Sequence, residues 1–206
     1  LFFYKDNGTT FLGAYEDVEM YDRIKFPVGA TECAILVKVP DPIGVEPKIQ
    51  ATEITVRLTI KNCWFHDCSR NHISGTGVQY LNIHDNIIEK AKGTLPMAGI
   101  DLEDFHQGNK YTNIYNNVFR FNGNYDVVFV SSWKVRVFNN EFTEKKSSIQ
   151  LATVGWSDPK DIRLESNNFY NGTIYTDKEA VYANNYFNNN KIIAQSGKLL
   201  NNSFKN

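Results

Sequence analysis

Little in this chain points to a metal cage, a disulfide framework or a membrane. Its 206 residues include only three cysteines, Cys33, Cys63 and Cys68. The number is odd, and the spacing matches neither a zinc pattern nor a disulfide framework. They read as buried free thiols, which suggests folding in a reducing cytoplasm. There is no run of about 18 apolar residues, and no basic start followed by an apolar stretch. Neither membrane insertion nor a retained signal peptide is therefore expected. The formal net charge is −1, so nothing points to nucleic acid as a partner. Proline is scarce, and three of the six fall in "PDPIGVEPK" (Pro40 to Lys48), which reads as a linker. The chain opens on the strand-like "LFFYKDNG" and closes on "NNSFKN", so it reads as a segment of a longer protein.

What is abundant is asparagine. There are 24, and all but one lie after position 61. They recur in short strings: "NCWF", "DNII", "NNVF", "NNEF", "SNNF", "NNYF" and "NNSF". The anchors two residues before the last apolar position are Cys63, Asn86, Asn117, Asn140, Asn167, Asn185 and Asn202. Their intervals are 23, 31, 23, 27, 18 and 17 residues. A repeat of this kind sets the fold. The apolar runs between anchors are short and β-branched or aromatic, as in "DVVFV" and "VRVF", and Asn and Gly separate them. That is strand and turn chemistry. One repeat can supply two or three strands and return one inter-strand spacing, about 4.8 Å, along an axis. The result is an all-β, parallel solenoid. The anchor asparagine suits the bend, because it tolerates the left-handed conformation and its amide can ladder with the next coil. The phenylalanine two residues on is expected to point inward and stack.

These "I-x-N-N-x-F" repeats resemble the right-handed parallel β-helix proteins of the pectate-lyase-like superfamily. "AGIDLED" (Ala98 to Asp104), followed by "NIYNNVFRFNG", is similar to a pattern in bacterial and phage-encoded members. The resemblance covers about residues 52–206. It implies a β-helix over residues 49–206 and polysaccharide as the partner. Residues 1–48 lack the asparagine ladder, and "IKFPVGATECAILVKV" resembles small β-modules of phage tail proteins. That implies a separate N-terminal β module or insertion.

Inward and outward residues alternate along a strand. With Ile73, Ile100, Val127, Ile149, Ile174 and Ile192 as an inward stack, His72, Gly99 and Asp126 form one outward column. Ser74, Asp101 and Val128 form the next, and Glu103 continues the face of Asp101. Asp101, Glu103 and Asp126 would then share a patch, with His72 one coil away. Separations of about 4.8 and 6.7 Å suit acid/base pairs of glycosidases, and crowding would keep one carboxyl protonated. The same three carboxylates could instead hold Ca²⁺, or simply be solvated on the outer face. The long loops "EKAKGTLPMAG" and "EDFHQGNKYT" flank this patch and bring Asp104, His106 and Lys110. A second face carries Lys61, His84, Tyr115, Phe138 and Glu165 beside Thr59, Asn82, Asn113, Arg136 and Arg163. Rings beside fork donors suit sugars, with Tyr115 and Arg136 as contacts. The same face would serve equally well as a contact with another subunit.

The family motifs for particular activities are absent. "NHISG" (Asn71 to Gly75) precedes the acidic segment and no Arg-x-Lys follows, unlike polygalacturonase-like members. "GIDLEDFH" lacks the Asp-Pro-His of epimerase-like members. No arginine base can be set beside Asp101 from sequence, Arg70 being the nearest. Two functions stay open. One is a hydrolase or lyase acting on a bacterial envelope polysaccharide. The other is a non-catalytic adhesin of a virion tail or cell surface, assembling as a homotrimer or with other tail proteins.

Overall fold

A computed structural model describes residues 2–5, 10–14, 32–34, 55–103, 108–130, 132–143, 149–154, 160–176, 179–194 and 196–206. Three strands come first: β1 (Phe2–Lys5), β2 (Thr10–Ala14) and β3 (Glu32–Ala34). The coils follow. The first is β4 (Thr55–Lys61), β5 (Trp64–His66) and β6 (Ile73–Gly75); the second is β7 (Val78–His84), β8 (Ile87–Glu89) and β9 (Ala98–Leu102). The third is β10 (Asn109–Tyr115), β11 (Val118–Arg120) and β12 (Tyr125–Val130); the fourth is β13 (Ser132–Phe138), β14 (Glu141–Thr143) and β15 (Ile149–Val154). The fifth is β16 (Lys160–Glu165), β17 (Asn168–Tyr170) and β18 (Thr173–Thr176); the sixth is β19 (Ala180–Ala183), β20 (Tyr186–Asn188) and β21 (Lys191–Ala194). The strands β22 (Gly197–Leu200) and β23 (Ser203–Lys205) begin another turn.

Each coil places one strand in each of three sheets, and coil neighbours pair in parallel. The longest sheet also takes in the N-terminal strands. There β1 pairs antiparallel with β2 and β3, and β3 meets the first coil through Ala34 and Thr59. This antiparallel unit is not itself a coil. The proline-rich linker lies outside the described residues. Among the described residues there is no helix long and apolar enough to cross a membrane.

The interior is three ladders of apolar side chains. In the longest sheet, Ile60, Ile83, Ile114, Val137, Leu164 and Tyr182 lie over one another. In the second sheet, the phenylalanines stack as the repeat implies, with ring centroids 4.8 Å apart for Phe119 and Phe142 and 4.6 Å for Phe142 and Phe169. Burial of each such ring contributes about 1.5–3 kcal/mol, and each ring pair about 0.5–1.5 more. The third ladder is Ile73, Ile100, Val127, Leu151, Ile174 and Ile192. Leu151 thus takes the place expected for Ile149, because the pairing shifts between Ile149 and Leu151 and absorbs the extra residue.

The anchor asparagines divide their expected work with the residue before them. The left-handed residue of each bend is the preceding one: Asp85, Asn116, Asn139, Ser166 and Asn184 have φ of 56°, 55°, 55°, 54° and 56°. The anchor itself is buried and makes the ladder. Asn117 donates 3.0 Å to the amide oxygen of Asn140, and Asn140 donates 3.0 Å to that of Asn167. Each anchor oxygen also accepts the main-chain NH of the anchor one coil earlier, 2.9 Å for Asn117. The side chain is needed for the anchor NH, which goes to the next anchor's oxygen. The NH before it and the anchor carbonyl pair with main chain, as Asn116 NH with the Phe138 carbonyl at 3.3 Å and Val118 NH with the Asn86 carbonyl at 2.9 Å.

A second left-handed column interrupts the longest sheet. Arg57, Tyr80, Tyr111, Lys134 and Asp161 have φ of 66°, 57°, 58°, 55° and 57°. In β7 the inward residues are Val78 and Leu81, so Gln79 and Tyr80 both face outward. β10 and β13 repeat this pattern, so the second, third and fourth coils each carry one extra residue on the outer face.

Candidate functional site

The acidic corner comes first. Asp101 lies between Ser74 and Val128 on the third sheet and is only 5% exposed. Asn71 donates to it at 2.9 Å, reaches Ser74 Oγ at 3.2 Å, and accepts the Ala98 NH at 3.1 Å. Burial and then the Glu103 charge push the Asp101 carboxyl up to about 6, against the pull of Arg70 and Asn71. Arg70, which sequence could not set beside Asp101, is thus close enough to oppose this shift.

The other two proposed members do not join this patch. The register is the expected one, Val128 opposite Asp101 with Asp126 two residues earlier beside Gly99, but Asp126 is turned away from solvent. Asp126 is 1% exposed and accepts 2.7 Å from Asn122, whose amide also binds the Ile88 carbonyl. His72 is 2% exposed, with Nε2 2.7 Å from the Glu89 carbonyl and its ring beside Phe65. Burial pushes the His72 imidazole down to about 4, so it is neutral. The physical reason is that the outer side of this sheet is covered as well. Gly99 and Asp126 lie inside β9 and β12, where inward and outward positions alike are buried, and Val128 packs in a second apolar cluster with Ala98, Val130 and Ala152. Gly99 shows the same crowding: a Cβ there would meet the Asp126 carbonyl at 2.7 Å. Asp101, Glu103 and Asp126 do not make a Ca²⁺ cage, and among the described residues no group of three His, Cys, Asp or Glu could hold a metal. Asp104 and His106 lie outside the described residues. Lys110 stands on the longest sheet instead, its ammonium 5.4 Å above the Trp133 ring.

The longest sheet carries the second face. Tyr115 and Arg136 are where alternation puts them. His84, Tyr115 and Phe138 stack at 4.5 and 4.8 Å, so their ring faces are spent on one another. Arg136 is held by Glu165 at 2.6 and 3.2 Å, and Asn113 donates 2.9 Å to Asn82. Beside this row stands the left-handed column. Tyr80 and Tyr111 stack at 4.6 Å and 4°, and Lys134 lies 4.7 Å over Tyr111 with its ammonium 3.4 Å from the phenol oxygen. Asp161 accepts from Arg163 at 3.4 Å. Between the two rows runs a groove of about 340 Å³. Its size is at the lower end of the roughly 300–1,000 Å³ of small-ligand sites.

Sequence reasoning missed Tyr80, Tyr111, Lys134 and Asp161. Strict alternation gives them the same outward parity as Asn82, Asn113, Arg136 and Arg163, two residues on, but that face was followed back only as far as those residues. The signal was present in the repeat itself, because each stands six residues before an anchor asparagine.

A family model, the right handed beta helix region, matches residues 47–156, more than half of the 206. The chain belongs to this family. The right-handed β-helix is therefore shared by sequence pattern and by strand topology, and the longest sheet forms one of its three faces. A search of curated proteins returns no match.

Proposed function

We propose that this β-helix binds an extended polysaccharide of a bacterial envelope along the outer face of its longest sheet. It would do so as a receptor-binding module of a virion tail or cell surface. The observation that carries this is the groove, whose walls repeat phenol, amide and guanidinium groups at coil spacing. A linear chain of hydroxyl-rich rings offers partners at a similar repeat, and hydrogen bonds to charged donors are the stronger ones. Tyr80 and Tyr111 contribute ring edges and hydroxyls, because their facing sides are stacked. The test is binding of envelope polysaccharides to wild type and to Tyr80→Asn/Tyr111→Asn. Asparagine tolerates the left-handed backbone, so the fold is expected to survive. Binding should fall at least tenfold, about 1.4 kcal/mol. Unchanged binding to every polysaccharide would remove the groove from consideration.

A catalytic reading has one observation in its favour, the Asp101 carboxyl held near 6 beside Glu103 and Arg70. A group titrating there suits general acid/base work. If sugar is released, Asp101→Asn should slow release by about 100-fold or more. Full retention would place the chemistry elsewhere on the molecule, and a wild type that releases no sugar would leave the protein an adhesin.

A further inference from the structure

The groove is not uniform along the solenoid axis. Its first two coils supply only uncharged groups, Tyr80 with Asn82 and then Tyr111 with Asn113. Its next two supply ionic ones, Lys134 with Arg136 and then Asp161 with Arg163. The ionic half holds three cations and one carboxylate. Arg136 is engaged by Glu165, and Arg163 is shared between Asp161 at 3.4 Å and Glu165 at 3.9 Å. Lys134 is different. Among the described residues no carboxylate lies within 4 Å of its ammonium, which is steered into place by the Tyr111 ring and hydroxyl. A cation over an aromatic face is attracted without being neutralised, so its charge remains available to a ligand.

We infer that the groove selects a mixed glycan, with an uncharged sugar against Tyr80 and Tyr111 and a carboxylate-bearing sugar against Lys134. This rests on the polysaccharide reading above and refines it. The aromatic–amide half offers nothing to offset a second negative charge. A uniformly acidic polymer would therefore leave one carboxylate against uncharged tyrosine and asparagine. A neutral polymer would leave the Lys134 charge without a partner. Only the mixed sequence satisfies both halves, in one direction along the axis.

The experiment measures affinities of the full chain by calorimetry for five probes. They are a polymer alternating uronic acid with N-acetylhexosamine, a neutral oligosaccharide capped by one acidic sugar, a homopolymeric polyuronate, a neutral glucan and single-stranded DNA. One of the two mixed probes should bind about tenfold tighter than polyuronate and glucan. Which of the two does so separates an internal repeat from a chain end as the ligand. In Lys134→Asn the preference of the mixed probe over glucan should vanish. In Tyr80→Asn all glycans should weaken. Added salt should erode the mixed-probe preference, since the charge is exposed. Equal binding of neutral and mixed probes, with Lys134→Asn silent, overturns the inference and leaves polysaccharide binding standing. Polyuronate binding tightest, with Tyr80→Asn silent, overturns it too. No glycan binding at about 1 mM, or DNA binding above every glycan, removes the polysaccharide reading itself.

Discussion

Asn140→Ala tests what holds the coils in register. Asn140 is 1% exposed at the centre of the ladder. Its oxygen accepts the Asn117 main-chain NH at 2.9 Å and the Asn117 amide at 3.0 Å. Its own amide donates to the carbonyls of Ile114 at 2.9 Å and Phe138 at 3.1 Å and to the Asn167 amide oxygen at 3.0 Å. After truncation the Asn117 amide keeps the Ile83 and Tyr115 carbonyls, so it is not orphaned. The Asn117 NH is. A buried NH left without a partner costs about 1–3 kcal/mol, and each of the three bonds the Asn140 amide donated about 0.5–1.5. The sum is roughly 2.5–7.5 kcal/mol, large for a single truncation of an amide. Asn202→Ala is the internal control. Asn202 makes the same kinds of bond, accepting from Asn185 at 2.9 Å and donating to Tyr182 at 2.9 Å, but it is only half-buried. Water can replace those bonds, so about 1 kcal/mol is expected. Urea unfolding followed by far-UV circular dichroism gives both numbers. If Asn140→Ala loses no more than Asn202→Ala, the ladder does not hold the stack and the attribution of stability to it is wrong.

Asp101→Asn should change the pH dependence of stability. The Asp101 carboxyl is raised to about 6 in the fold, so its contribution is present below about pH 4 and lost as pH rises through 6. The loss is on the order of 3 kcal/mol, and the variant should therefore be the more stable protein at pH 7, read as a higher urea midpoint; a lower midpoint there would contradict it. His72 runs the other way, because its imidazole is lowered to about 4: it contributes above about pH 6.5 and loses that contribution as pH falls through 4. Its ring resonances in NMR should stay those of the neutral form down to about pH 5, and protonation near pH 6.5 would mean that the ring is not buried against the Glu89 carbonyl.

The repeat was legible because one physical requirement recurs in every coil. A tight bend needs a residue tolerant of positive φ and a buried amide to satisfy its main chain, and both leave asparagine in the sequence. Hence Asn116 with Asn117, and Asn139 with Asn140, mark coil boundaries unaided. The inward phenylalanines follow, since Phe119, Phe142 and Phe169 stand two residues beyond a buried anchor. The face of Tyr115 and Arg136 was also legible, because that stretch of strand is regular. The acidic corner was not. His72, Gly99 and Asp126 occupy equivalent positions, as alternation implied, but the outer side of that sheet is itself covered: His72 meets the Glu89 carbonyl, Asp126 accepts from Asn122, and Val128 packs with Ala98, Val130 and Ala152. Alternation gives the side of a strand and not whether that side meets water. The groove was missed for another reason: Tyr80, Tyr111, Lys134 and Asp161 share the outward parity of Asn82, Asn113, Arg136 and Arg163, but alternation alone does not show that the two rows enclose a groove.

The left-handed residue inside the strands of the longest sheet is not needed to stack coils. β19 has no left-handed residue within it, yet it pairs in parallel register with β16. The preceding coils nevertheless keep Arg57, Tyr80, Tyr111, Lys134 and Asp161 left-handed, a conformation that costs about 1–2 kcal/mol for each residue with a Cβ. Summed over five coils, this is comparable to the net stability of a small domain. Left-handed residues also stand at the bends, but this row lies inside the strands of the longest sheet. Four of its five members, Tyr80, Tyr111, Lys134 and Asp161, wall the groove opposite Asn82, Asn113, Arg136 and Arg163. Strain at residues that wall a groove motivates a test of that groove. Replacing Tyr111 with glycine would relieve the backbone and remove the wall together. If that variant gains stability while it loses glycan binding, the left-handed row is maintained for the ligand. If it loses stability instead, the Tyr80–Tyr111 stack repays the strain, and the row belongs to the architecture of the solenoid.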